Sequence, residues 1–359
     1  MNQKGLNNFF KEYISEKSIF LNKRVLQISY KPDEVLHREE QIEKIANILA
    51  PILKGERPSN LFVYGKTGTG KTVTLKHIAS HMREVSEEQN INLKIIYLNC
   101  KLKRVADTEY RLIAQLVREF GKDVPPTGLP TDEVYNIFFK TLDDKDVMLL
   151  LILDEIDQLI NKAGDEIIYN LTRINEELEN SRISLVGISN SLVFTDNLDP
   201  RVRSSLSEEE VLFPPYNAIQ IQDILKKRAK IAFNSGVIGS GVIPKCSAYA
   251  AREHGDARRA IELLRVAGEL VQRNKKKKIT LKDLDEAQEK IEKDRIIDTI
   301  RTQPKQSQTT LYCLVRLISS KKEKTFTGEI YEKYKDTLKF EYTGPWPPYN
   351  FVNIKIQIK

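Results

Sequence analysis

The sequence predicts an α/β domain, a parallel sheet covered by helices, followed by segments built mainly from helices. Two observations carry the prediction. Four apolar runs recur with helical stretches between them, and beyond residue 215 the strand signal gives way to helical periodicity. A third observation sets the scale: 359 residues exceed the size at which one hydrophobic core stops growing, so two or three domains are expected.

In chain order the runs are Asn60–Tyr64, Leu93–Leu98, Val147–Leu153 and Ile183–Ile188. Each is short, apolar and bounded by polar segments, as expected of parallel strands buried on both faces. They fall within residues 1–214. Helical spacing then runs through IQIQDILKKRAKIAF, CSAYAAREHG and ARRAIELLRVAGELVQRN, which predicts a small helical domain over 215–292. Residues 293–359 read as three short helices, RIIDTIRTQ, SQTTLYCLVRLISS and TGEIYEKYKDTLK, and a final alternating strand, NFVNIKIQIK. The stretch FEYTGPWPPYN precludes a helix through Pro345–Pro348.

Composition bounds the function class. Hydrophobic residues make up 40% and charged residues 30%, which fits a globular protein with a charged surface. No apolar run approaches the roughly 20 residues that span a bilayer, and MNQKGLNNFFKEYISEKS lacks an apolar signal core, so a cytoplasmic protein without a membrane partner is expected. Cys100, Cys246 and Cys313 lie far apart without CxxC spacing and read as reduced structural residues. His77 and His81 are spaced i, i+4, but no third ligand is evident beside them, so they read as two partly exposed helix residues. The net charge of +7 favours polyanionic partners without identifying one. The run NKKKKIT from Asn274 reads as a solvated basic turn.

LFVYGKTGTGKT, Leu61 to Thr72, carries the most specific chemistry. Gly65, Lys66, Thr67, Gly68, Thr69, Gly70, Lys71 and Thr72 match GxxxxGK[ST] between a strand and a helix. In that setting backbone N–H groups surround phosphate oxygens, Lys71 reaches the β/γ-phosphates, and Thr72 offers a hydroxyl to Mg²⁺. MLLLILDEID, Met148 to Asp157, ends a buried strand in two carboxylates. There Asp154 can hold the Mg²⁺ water shell and Glu155 can orient or deprotonate water. LVGISN ends a further strand at Asn190, whose amide can bond attacking water or the γ-phosphate. Arg201 and Arg203 follow a turn and suit a cationic group offered to a neighbouring subunit's nucleotide, or else salt bridges at a surface turn. Arg258 lies in the first turn of a later helix, from which it can reach the γ-phosphate; taken alone, an exposed helix arginine is the plainer reading.

Together and in this order, these motifs resemble the AAA+ ATPases, with Walker A at Gly65–Thr72, Walker B at Asp154–Glu155, sensor 1 at Asn190, an arginine-finger region at Arg201–Arg203 and sensor 2 at Arg258. YKPDEVLHREEQIEKIANIL, FPPYNAIQIQDILKKRA and HGDARRAIELL narrow the resemblance to the archaeal origin-recognition/Cdc-type replication initiators, over about residues 15 to 335. It implies an AAA+ P-loop sheet domain with an N-terminal extension over 1–214, a helical lid over 215–292, and a winged-helix-like DNA-binding domain over 293–359. It also implies that Tyr216 and Arg228 line the nucleotide pocket. The insertion between Lys71 and Asp154 resembles an initiator-specific one whose VPPTGL segment approaches DNA, with Lys122, Thr127 and Gly128 as contacts.

The C-terminal domain looks truncated, because the Arg-rich recognition helix that the family places there is missing from the sequence pattern. Trp346 and Tyr349 can stack on nucleotides, although packing on the shortened domain is the plainer reading. The resemblance implies a chromosome-associated replication initiator that binds double-stranded origin DNA and helps recruit the replicative helicase. ATP/ADP with Mg²⁺ would act as a conformational switch, with weak ATPase activity. Other initiator paralogues are implied partners, the chain being a monomer in solution or assembling on DNA. The alternative is an AAA+ ATPase that remodels or signals through protein partners, with impaired DNA binding.

Overall fold

A computed structural model describes residues 10, 14, 17–27, 29–101, 108–125, 127–194, 198–253, 255–318, 338–341 and 355–358, with residues 314, 316–318 and the last two stretches described by backbone alone. The chain divides into two units, 1–284 and 285–359.

In the first unit the strands are β1 (Leu61–Tyr64), β2 (Leu93–Asn99), β3 (Met148–Asp154), β4 (Arg182–Ser189) and β5 (Glu209–Leu212). They form one parallel sheet in the order β2-β3-β4-β1-β5. The predicted runs account for four of these strands. Strand β5 carried almost no apolar signal: it is an edge strand in which Val211 is the buried residue, preceded by three glutamates. A half-exposed edge needs little apolar surface.

Helices α1 (Glu39–Leu49) and α2 (Lys71–Glu88) precede β2. Helices α3 (Glu109–Glu119) and α4 (Thr131–Asp143) lie between β2 and β3; α5 (Ile156–Ala163) and α6 (Glu166–Arg173) lie between β3 and β4. The sheet is covered on both faces. One core joins Phe62, Leu149, Leu151 and Leu153 to Leu112, Leu116 and Phe138 of the insertion helices and to Leu159 and Ile168. The other joins Val63, Leu150, Ile152 and Val186 to Ile45, Leu49, Leu75 and Ile78. Alternation along β3 sends successive residues to opposite cores, which is why its whole run is apolar.

After α7 (Pro200–Leu206) and β5, the helices α8 (Ala218–Ala232), α9 (Val242–Arg252) and α10 (Ala257–Arg273) follow. Helix α8 opens with a capping box: Asn217 accepts from the Gln220 N–H and Gln220 accepts from the Asn217 N–H. The N-terminal segment attaches to this part, with Phe20 against Phe233 at 4.8 Å and the Leu21 N–H donating to the Ala232 carbonyl.

Helix α11 (Leu281–Thr302) runs unbroken through residue 292, where the sequence contains neither glycine nor proline. In the second unit α12 (Lys305–Ile318) follows. Strands β6 (Leu338–Glu341) and β7 (Lys355–Ile358) pair antiparallel, Leu338 opposite Ile358. Leu338 and Lys339, read from sequence as the end of a helix, are therefore strand residues, held by a ladder partner that sequence spacing does not reveal. The expected absence of a recognition helix, and Trp346 and Tyr349, lie outside the described residues. Among the described residues no helix is long and apolar enough to cross a membrane.

Candidate nucleotide site

The site lies at the carboxyl ends of β1, β3 and β4, which parallel register brings level. Tyr64 pairs with Ser189, and Asp154 with Ile188. The Gly65–Gly70 loop leaves β1 and enters α2, the place where an open parallel sheet presents a helix N-terminus to a ligand. Gly68 and Gly70 have φ of 72° and 96°, a region costly for residues bearing a Cβ. Space is also short: a Cβ on Gly68 would lie 1.7 Å from Asp256 Oδ1, and one on Gly70 would lie 2.6 Å from the Tyr216 hydroxyl. Asp256, the cap of α10, and Tyr216, two residues ahead of α8, thus both abut the loop.

Lys71 is 5% exposed. Its ammonium donates to the carbonyls of Gly65 at 2.6 Å and Lys66 at 2.8 Å. Burial pushes its pKa down to about 8, and the Arg258 guanidinium adds to the fall, against the opposing pull of Asp154, Asp157 and Asp256. Arg258 is therefore within electrostatic reach of Lys71. Asp256 caps α10, its Oδ1 accepting from the N–H groups of Arg258 and Arg259.

Thr72 Oγ1 donates to Asp154 Oδ2 at 2.9 Å, and Tyr97 of β2 donates its hydroxyl to the same oxygen. Burial, followed by that bond, raises the Tyr97 pKa. Glu155 adopts the left-handed region at φ 56° as it turns from β3 into α5, with Lys101 Nζ 3.9 Å from its Oε2. A non-glycine residue in that region carries strain of about 1 to 3 kcal/mol. Asn190 directly follows β4, beside Ser189, whose hydroxyl donates to Asp157 at 3.0 Å. The oxygen set of Thr72 and Asp154 suits a hard divalent cation that takes its remaining ligands from water and phosphate. Among the described residues no group of three His, Cys, Asp or Glu side chains could hold a metal by itself. His77 and His81 meet edge to face at 4.6 Å on α2, and the three cysteines are buried thiols outside any disulfide.

Tyr216 is buried against Gly70, with the Arg38 guanidinium 3.8 Å over its ring. Arg38, 2% exposed, was not identified from sequence. It donates to the Thr69 carbonyl at 2.9 Å, to the Pro214 carbonyl at 2.6 Å and to the His37 carbonyl at 3.1 Å, tying the loop to the segment that enters α8. Burial lowers its pKa. Arg228 donates to the Val25 carbonyl at 2.7 Å and lies 4.4 Å over the Tyr30 ring, so its partners are in the N-terminal segment.

Other candidate residues stand elsewhere. On α7, Arg201 is exposed, pairs with Asp199 at 3.2 Å and lies 5.6 Å over the Tyr169 ring; Arg203 is exposed on the same helix. Lys122, Thr127 and Gly128 are exposed between α3 and α4, with Lys122 3.8 Å from Asp144. That connection is held from below by buried Val124 and by the Tyr110 hydroxyl, which donates to the Pro125 carbonyl at 2.6 Å.

A parallel sheet of this order, with a phosphate loop on β1 and paired carboxylates on β3, defines a P-loop nucleotide-binding module of the AAA+ class. Family models agree: the AAA domain matches residues 54–199, the Cdc6 AAA+ ATPase-type lid domain 222–289, and the CDC6 C-terminal winged helix domain 298–350. The ORC1-type DNA replication protein of Thermococcus onnurineus is 51% identical over 339 residues, covering 93% of this chain and 81% of that one. The Pyrococcus horikoshii relative of the same description is 50% identical over 342 residues, with 94% and 81% covered. Among solved structures, the Aeropyrum pernix ORC1 protein in complex with DNA is 42% identical, with a TM-score of 0.78 over 92% of this chain and 85% of that one. The chain belongs to the archaeal ORC1-type DNA replication protein family.

Proposed function

We propose that this protein is a nucleotide-controlled replication initiator that binds double-stranded origin DNA and helps recruit the replicative helicase, alone or with initiator paralogues. The observation that supports nucleotide control is the placement of Lys71 and Arg258. Burial first, and the Arg258 guanidinium second, depress the lysine pKa, and phosphate close to both cations would favour both charges.

In this reading the Gly65–Thr72 loop cradles ATP or ADP, and Tyr216 and Arg228 line the nucleotide pocket. Thr72 and Asp154 hold Mg²⁺, which when bound would neutralise charge on the phosphate oxygens. Glu155 orients or deprotonates water, Asn190 fixes that water or the γ-phosphate, and Arg258 carries the state of the phosphates to α10. Arg201 and Arg203 act on a neighbouring subunit's nucleotide. Hydrolysis is slow and the nucleotide serves as a switch.

DNA binding is supported by the likeness to the DNA-bound Aeropyrum pernix protein and by the exposed segment bearing Lys122, Thr127 and Gly128. The test is fluorescence anisotropy of the chain with ATP·Mg²⁺ against labelled origin and scrambled duplexes across a salt series. Preferential origin binding that weakens steeply with salt is expected. No binding at low salt by a chain that still binds ATP would refute the DNA reading in favour of action through protein partners.

A further inference from the structure

We infer that Tyr97 is a positioning residue for the cation side of this site, orienting the Asp154 carboxylate and so setting how strongly a divalent cation couples to bound nucleotide. The inference rests on the nucleotide reading above and adds a residue to it. A carboxylate offers about four acceptor positions. On Asp154 three are taken: Oδ1 accepts from the Glu155 N–H at 3.0 Å, while Oδ2 accepts from Thr72 at 2.9 Å and from Tyr97. One acceptor position is left for a water in the shell of the cation.

The three donors come from different elements. Thr72 belongs to α2, Glu155 follows β3, and Tyr97 lies on β2, which pairs with β3 so that Asn99 stands opposite Asp154. The carboxylate is therefore clamped between its neighbours across the end of the sheet. Without the Tyr97 hydroxyl, Oδ2 keeps one donor, and the carboxylate is held by two bonds instead of three, so its plane turns more readily about Cβ–Cγ. Tyr97 is itself held in place, with the Lys76 ammonium of α2 4.0 Å over its ring. A hydroxyl that orients a cation's carboxylate partner in this way commonly changes cation affinity tenfold or more when it is removed.

The test uses the full chain and a fluorescent ATP analogue, titrated first in chelator and then with increasing Mg²⁺. For Tyr97→Phe, affinity in chelator stays within about twofold of wild type and the apo melting temperature is preserved, while the Mg²⁺ concentration giving half of the cation-dependent tightening rises roughly tenfold. Lys76→Met, which loosens the ring and keeps the hydroxyl, shows a smaller rise. Unchanged Mg²⁺ dependence in Tyr97→Phe would overturn the inference, and so would an equal loss of affinity in chelator, which marks a merely structural role. Wild-type chain that binds no nucleotide would overturn the nucleotide reading and this inference with it.

Discussion

Lys71 offers a quantitative test, because its ammonium is buried and its pKa stands at about 8, below the ordinary 10.5. At about 1.4 kcal/mol per pH unit, holding that charge in the free protein costs about 3 kcal/mol. A phosphate beside the ammonium favours the charged form, so the nucleotide-bound state returns the pKa toward its ordinary range. The sign follows. Below pH 8 the free protein already carries the proton and affinity is level; above it, binding must first take up a proton, and affinity falls as pH rises. With a bound-state pKa near 10.5, affinity drops about thirtyfold between about pH 7 and about pH 9.5.

The assay is equilibrium titration with a fluorescent nucleotide over that range, paired with calorimetry in buffers of different ionisation enthalpy. Calorimetry should register uptake of roughly three-quarters of a proton near pH 8.5, where ATP itself is fully ionised. Lys71→Arg supplies the control: arginine stays charged throughout, so whatever affinity it keeps should be flat with pH. Lys71→Ala should abolish binding. A wild-type affinity independent of pH, or a Lys71→Arg profile parallel to wild type, would refute the reasoning.

Glu155→Gln should bind nucleotide normally and lose turnover by about a hundredfold or more; phosphate release at the wild-type rate would refute its assigned role. Gly68→Ala should lower the melting temperature and weaken nucleotide binding, since φ of 72° and a 1.7 Å approach to Asp256 Oδ1 both oppose a Cβ. Asp256→Ala removes only the second obstacle, so the double variant should recover part of the loss in a thermal-melt cycle. Asp283 stands at the start of α11; burial pushes its pKa up, but bonds from Lys276 at 2.6 Å and from the Thr280 hydroxyl and N–H outweigh it and keep the pKa low. Its stabilisation is full above the unfolded pKa of about 4 and is lost as pH falls through the lower folded value. Asp283→Asn should therefore melt below wild type near neutrality, with the gap closing near pH 3 or lower.

The nucleotide side of the site was legible because its determinants are local. A phosphate loop needs glycines at fixed offsets, and β3 has to be apolar throughout since its successive residues enter two different cores. Arg38 and Tyr97 were not legible, because their partners are remote. Pro214 lies 176 residues from Arg38 and Asp154 lies 57 from Tyr97. One faint signal existed for Tyr97, a hydroxyl-bearing residue near the end of the strand that precedes β3, but only the β2–β3 register gives it meaning. Strand β5 was hidden by its glutamates. RIIDTIRTQ, read from sequence as a short helix of its own, is the end of α11, with no glycine or proline ahead of it to mark a separate start.

Three buried or half-buried cations of this unit are satisfied differently from two of its exposed ones. Lys71, Arg38 and Arg228 donate to backbone carbonyls, and none has a carboxylate within salt-bridge distance among the described residues. Exposed Lys122 and Arg201, by contrast, pair with Asp144 and Asp199. A carbonyl meets the hydrogen-bonding needs of a buried cation but leaves its net charge uncancelled, whereas a carboxylate cancels it. The loop and the segments attached to it thus retain positive potential in a water-poor setting, where a polyanion gains most from it. Replacing those carbonyl partners with carboxylates would relieve the cost carried by Lys71, and it would also remove the field that draws phosphate. The depressed lysine pKa and the expected nucleotide affinity therefore have one cause, and a substitution that restores the first should weaken the second.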